Sequence, residues 1–245
     1  SEEEKLETVR EELRRALERI EELITKNEKK IEDTLRDIRR EIEENARTVK
    51  EALERIKKDG VDREDLKDIK RRYDEMLEKL KRELDEIVRE IKERHERLRK
   101  ELDDIVKRVE EKLRELRKKP NSEELIRELL EIVREALERI RRLLKKLLEA
   151  NERLLKRIRE LLDELLKAND KLVKDLEDIL RKENMPKEKV DRTKEELERL
   201  KKEHRERVEE TKRKLDELKK EHEREIRKTE TDLRRLLKEL ADRAK

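Results

Sequence analysis

The chain has 245 residues; 60% are Asp, Glu, Lys or Arg, and only 31% are hydrophobic. Ordinary globular domains carry about 45–50% apolar and about 25% charged residues, so the composition excludes an ordinary globular enzyme. Lysine and arginine (75) nearly cancel the acids (72), there is no Cys, Trp or Phe, and mean hydropathy is −1.35. Such a finely mixed surface gives no electrostatic ground for nucleic acid or an anionic membrane. The apolar runs are too short to span a bilayer, and the opening shows no secretory signal pattern, so a soluble chain is expected.

The first predicted helix covers about 2–58 and opens on Ser1 and Glu4, spaced as a capping box. Asp59-Gly60-Val61-Asp62 ends it. Gly60 suits the left-handed position beyond a helix end, Asp62 can cap the next helix, and Val61 and Leu66 are spaced as a hydrophobic staple. The second helix covers about 63–118 and stops at Pro120-Asn121-Ser122. Asn121 or Ser122 caps the third, about 122–182, whose Glu123 and Glu124 complement the positive end of its dipole. Asn184-Met185-Pro186 then separates it from the fourth, about 187–244, with Pro186 at the first helical position. Each helix is roughly 85 Å long at ~1.5 Å per residue. Short turns between helices of matched length make neighbours antiparallel. The expected fold is all-α: one up-down-up-down four-helix bundle spanning 1–245 as a single domain.

Apolar residues recur every 18 positions, as in Leu17, Leu35 and Leu53, or Leu129, Leu147 and Leu165, or Val190, Val208 and Ile226. Eighteen residues make five turns at ~3.6 per turn, so each face returns without drift and the helices are expected to be nearly straight. Equal helices, one repeat throughout and strong helix formers on the surface make the whole chain resemble computationally designed helical bundles with buried hydrogen-bond networks. That resemblance implies a very stable structural scaffold with no natural biochemical activity.

Polar residues interrupt the repeat. Asn27 and Asn45 fall on the core line of helix 1, His95 and Tyr73 on helix 2, Asn151 and Asn169 on helix 3, and His204 and His222 on helix 4. Folding the chain at its turns groups them into two layers, Asn27/His95/Asn151/His222 and Asn45/Tyr73/Asn169/His204, separated by ~27 Å of helical rise. Amides and neutral imidazoles both donate and accept, so each layer is expected to close as a hydrogen-bonded ring. Thr34, Thr193, Thr211 and Thr229 either extend these rings or bond their own i−4 carbonyls. A buried asparagine penalises any register that leaves it unpaired.

Other chemistries lack their residues. His95 and His222 at similar height have no third ligand for zinc, no Ser or Cys nucleophile accompanies a histidine, and one glycine cannot build a phosphate loop. No cofactor, metal or small-molecule substrate is expected, and no enzyme. Buried neutral histidines are expected to make stability fall as pH drops below about 6.5. Helix 3 has the widest apolar face, about 160° of arc against about 80° for helix 4. A monomer is the preferred reading; a homodimer, or a partner, seated on the ridge Leu130, Leu148 and Leu166 is the alternative.

Overall fold

The computed structural model describes residues 2–61, 63–118 and 122–244. It contains α1 (Glu2–Lys58), α2 (Arg63–Arg117), α3 (Ser122–Lys182) and α4 (Lys187–Ala244), with no strand among the described residues. Helices adjacent in sequence pack together and α1 also packs on α4, giving an all-α, antiparallel four-helix bundle. Each helix is long because Leu, Glu, Lys and Arg fill it almost without a breaker.

The described breaks carry the expected chemistry. At the end of α1, the Asp59 amide donates to the Arg55 carbonyl (3.2 Å) and the Gly60 amide to that of Lys57 (3.2 Å). Arg55, Lys57 and Lys58 lie in that last turn, where cations complement the negative end of the dipole. Gly60 has the one positive φ among the described residues, 101°. A Cβ there would meet nothing within 4 Å, so the cost of Gly60→Ala is purely conformational. A loss of about 1–2 kcal/mol is expected by denaturant unfolding. Val61 and Leu66 are both buried, as a staple requires. Pro186 differs slightly from expectation: its carbonyl accepts from Val190 (3.1 Å), so it flanks the first helical residue instead of being it. The caps assigned to Ser1, Asp62, Asn121 and the Ser122 side chain lie outside the described residues, as does Pro120.

The helices contribute to two compact units, neither contiguous in sequence. One comprises Ser1–Ile31, Glu90–Arg153 and Leu218–Lys245, the other Glu32–Arg89 and Leu154–Glu217. Each unit holds a segment of all four helices with its own core. In the first unit Ile20, Ile24, Ile105, Val133, Ile140, Leu144 and Ile226 are buried together. In the second the core residues include Ile38, Ile42, Ile69, Leu84, Ile87, Ile158, Leu162, Leu197 and Val208.

Cross-helix ion pairs show the alignment inside each unit. In the first, Lys26 meets Glu225 (2.8 Å) and Lys30 meets Glu221, one turn along both helices. In the second, Arg39 meets Asp85 (2.7 Å) and Arg159 meets Asp216 (2.7 Å). Such exposed pairs contribute little stability, but they fix which residues stand level.

Candidate functional site

The eight polar residues singled out by the repeat are all buried, none more than 1% exposed. Asn27, His95, Asn151 and His222 belong to the first unit and Asn45, Tyr73, Asn169 and His204 to the second. Each unit therefore contains one of these eight from every helix, and the second also buries Thr193 of α4. The burial of the eight follows from position alone, since each occupies a core line that the 18-residue repeat otherwise gives to Leu, Ile or Val.

In the first unit Asn151 is the hub. Arg94 Nη2 donates to its Oδ1 (2.8 Å), and Nδ2 donates to His222 Nδ1 at the long distance of 3.5 Å. The imidazole nitrogen that accepts this bond has no hydrogen, so neutral His222 carries its proton on Nε2. His95 turns to its own helix, Nδ1 donating to the Ile91 carbonyl at 2.8 Å. Glu28 Oε2 lies 3.9 Å from the same nitrogen and pairs with Arg99 at 3.2 Å. Neither amide atom of Asn27 has a protein hydrogen-bond partner, so the expected closed ring is not present.

Sequence reasoning missed Arg94. It sits one residue off the core line and is only half-buried, but its long stem lets the guanidinium reach inward. Burial, reinforced by Arg153, lowers its pKa to about 10, while Glu28 and Glu90 oppose the shift. In a chain this rich in arginine nothing in the composition marks one as reaching inward.

In the second unit Tyr73 Oη donates to Asn169 Oδ1 at 2.5 Å. Burial, with a smaller contribution from Asp74, pushes the phenol well above its usual pKa and keeps it a donor. The remaining members do not complete this ring either: both polar atoms of Asn45, both ring nitrogens of His204 and Asn169 Nδ2 have no protein partner. Tyr73→Phe leaves neither amide atom of Asn169 bonded, and is expected to cost about 1–3 kcal/mol. A denaturant midpoint equal to that of the parent would contradict this.

The threonines mostly satisfy themselves. Thr193 and Thr229 donate to the carbonyls of Lys189 and Glu225 (2.8 Å each). The single hydroxyl proton of Thr211 is shared between two acceptors, Glu41 Oε2 (2.9 Å) and the Arg207 carbonyl (3.1 Å).

All three histidines have pKa values lowered to about 4, with burial as the main cause. Arg94 adds to the effect at His95 and Arg207 at His204, whereas Glu225 and Glu221 oppose it at His222. At neutral pH the layers are therefore uncharged apart from Arg94 at the edge of the first. Among the described residues no three His, Asp or Glu side chains gather as a metal site, and no helix is long and apolar enough to cross a membrane.

Among the described residues of the first unit, one open groove of about 280 Å³ lies between α1 and α2 and another of about 290 Å³ between α1 and α4. Neither is lined by a layer residue. Leu130, Leu148 and Leu166 are each half-buried at the edge of the α3 face, Leu148 against the first core. No large apolar side chain is exposed among the described residues. No protein family, characterised protein or solved structure matches the chain.

Proposed function

We propose that this protein is a structural scaffold in the manner of designed bundles, without a catalytic activity, whose buried Asn, His and Tyr residues specify helix pairing and register. The observation that carries this reading is the distribution of those residues: one from each helix in each of two cores made mainly of Leu, Ile and Val. Four amphipathic helices with similar Leu/Ile faces can pack in many alignments of nearly equal energy. A buried amide changes that, because a slipped neighbour leaves it against hydrocarbon. Burying polar atoms lowers stability, and a scaffold with cores of this size tolerates the loss.

A composition-preserving swap tests the reading. Asn151→Leu with Leu147→Asn moves the amide one turn along α3, away from Arg94 and His222 and into the apolar core. Losing both bonds and burying an unpaired amide is expected to cost about 3 kcal/mol. An unchanged denaturation midpoint would show that the position of the amide is immaterial and would sink the proposal. The scaffold is proposed to be a monomer. Light scattering across a concentration series should give 30.3 kDa; twice that mass would make the Leu130, Leu148 and Leu166 ridge an interface.

A further inference from the structure

The α1–α4 seam of the second unit carries more buried polar atoms than it pairs. Asn45 Nδ2 and Oδ1, His204 Nδ1 and Nε2, Glu41 Oε1 and Arg207 Nη1 are all buried without a protein hydrogen-bond partner. They lie close along the seam. The Thr211–Glu41 hydrogen bond sets the alignment, and Asn45 is one turn from Glu41 just as Arg207 is one turn from Thr211. His204 is less than one further turn along, within about 5 Å of helical rise. Arg207 acts electrostatically on both Glu41 and His204.

The chemistry of these atoms selects their ligand. Asn45 presents two N–H hydrogens and a carbonyl oxygen, neutral His204 one donor and one acceptor, Glu41 a carboxylate oxygen and Arg207 an N–H. A bound anion would face the Glu41 carboxylate, and a bound cation would face Arg207. The span to be bridged is only about 5 Å of helical rise, and Ile42, Val49 and Val208 on the same two helices are buried apolar side chains. The ligand must be small and neutral, and must donate and accept at once, which describes water. Glu41, Arg207 and Thr211 are only half-buried, giving water an entry from the side.

We propose that this seam is a structural water site, in which water bridges Asn45 to His204 and continues to Glu41 and Arg207. On the α2–α3 side of the same unit Tyr73 bonds Asn169 Oδ1 directly. The inference deepens the scaffold reading by naming what joins the polar residues across α1 and α4, and the two fail separately. A direct Asn45–His204 bond would overturn the water site and leave the register argument standing; a silent Asn151/Leu147 swap would do the reverse.

The test is nuclear magnetic relaxation dispersion of water oxygen-17, combined with rotating-frame water cross-peaks to the Asn45 side-chain amide. The intact protein is expected to show long-lived internal water and dipolar, not exchange-signed, cross-peaks at Asn45. Asn45→Ile with His204→Leu is expected to remove that part of the dispersion. An equal dispersion amplitude in the variant would overturn the proposal, as would a nitrogen–nitrogen coupling across a direct Asn45–His204 hydrogen bond. Should the double variant not fold, the cross-peaks and the coupling in the unaltered chain decide the matter.

Discussion

Denaturation at pH 4 is expected to show each buried histidine lowering stability by about 3 kcal/mol relative to pH 7.5, or about 9 kcal/mol for the three together. The cause is the desolvation that lowers His95, His204 and His222 from 6.5 to about 4. Between those values the unfolded chain binds three protons that the folded chain refuses, so acid favours unfolding. The stability is fully present above pH 6.5, declines through the interval, and has no further histidine component to lose much below pH 4. Glu41 acts in the opposite sense. Burial raises its carboxyl pKa against the Thr211 hydrogen bond, so the folded state takes up that proton more readily and recovers part of the loss. The helical circular dichroism signal is expected to survive at pH 4 without denaturant, because two extensive apolar cores are untouched by protonation. Equal midpoints at the two pH values would mean that the imidazoles titrate as exposed groups in solution. Replacing His204 alone with leucine should flatten the profile by about a third, since the three shifts share one dominant cause.

Much of this arrangement was legible in the sequence because helical geometry is periodic. Five turns per 18 residues fix which side chains share a face, and that alone assigned the buried positions, including the eight polar ones. Helix ends were equally legible where a residue has a backbone requirement: Gly60 takes the positive φ that ends α1, and α4 begins directly after Pro186. The hydrogen bonds were not legible. A core line states that Asn27 and Asn151 point inward, but which partner an amide meets depends on rotamer choice and on long residues that lie off the line. Arg94 takes the Asn151 carbonyl oxygen, and His95 bonds the Ile91 carbonyl of its own helix. Both choices draw bonding capacity out of the ring that periodicity had suggested. Thr211 likewise reaches Glu41 across the seam while still bonding its own helix.

Replacing all eight layer residues with Leu or Ile is expected to raise stability at neutral pH by about 4 kcal/mol or more while destroying the uniqueness of the fold. Stability rises because Asn27, Asn45 and His204 find no protein hydrogen bonds, so an apolar side chain at each position sheds a desolvation cost and gains packing. Uniqueness falls because an uninterrupted Leu/Ile stripe accepts any slip that returns a core position to a core position. The native residues oppose most such slips, with one informative gap. Asn27 and Asn45, Asn151 and Asn169, and His204 and His222 are each 18 residues apart, so an 18-residue slip of α1, α3 or α4 would carry one polar residue onto the place of another. On α2 the spacing from Tyr73 to His95 is 22, and the same slip would set both against hydrocarbon. The two layers are therefore distinguished by α2 alone, with the short turns as the other constraint. Spin-label distance distributions between α1 and α2 measure the effect: narrow in the native chain, broad or multiple in the apolar variant. A more stable variant that retained one narrow distribution would show that packing and turn lengths suffice to set the register, and the scaffold reading would lose its central claim. A variant less stable than the parent would show instead that the hydrogen bonds of the layers, those made through water included, outweigh their desolvation cost.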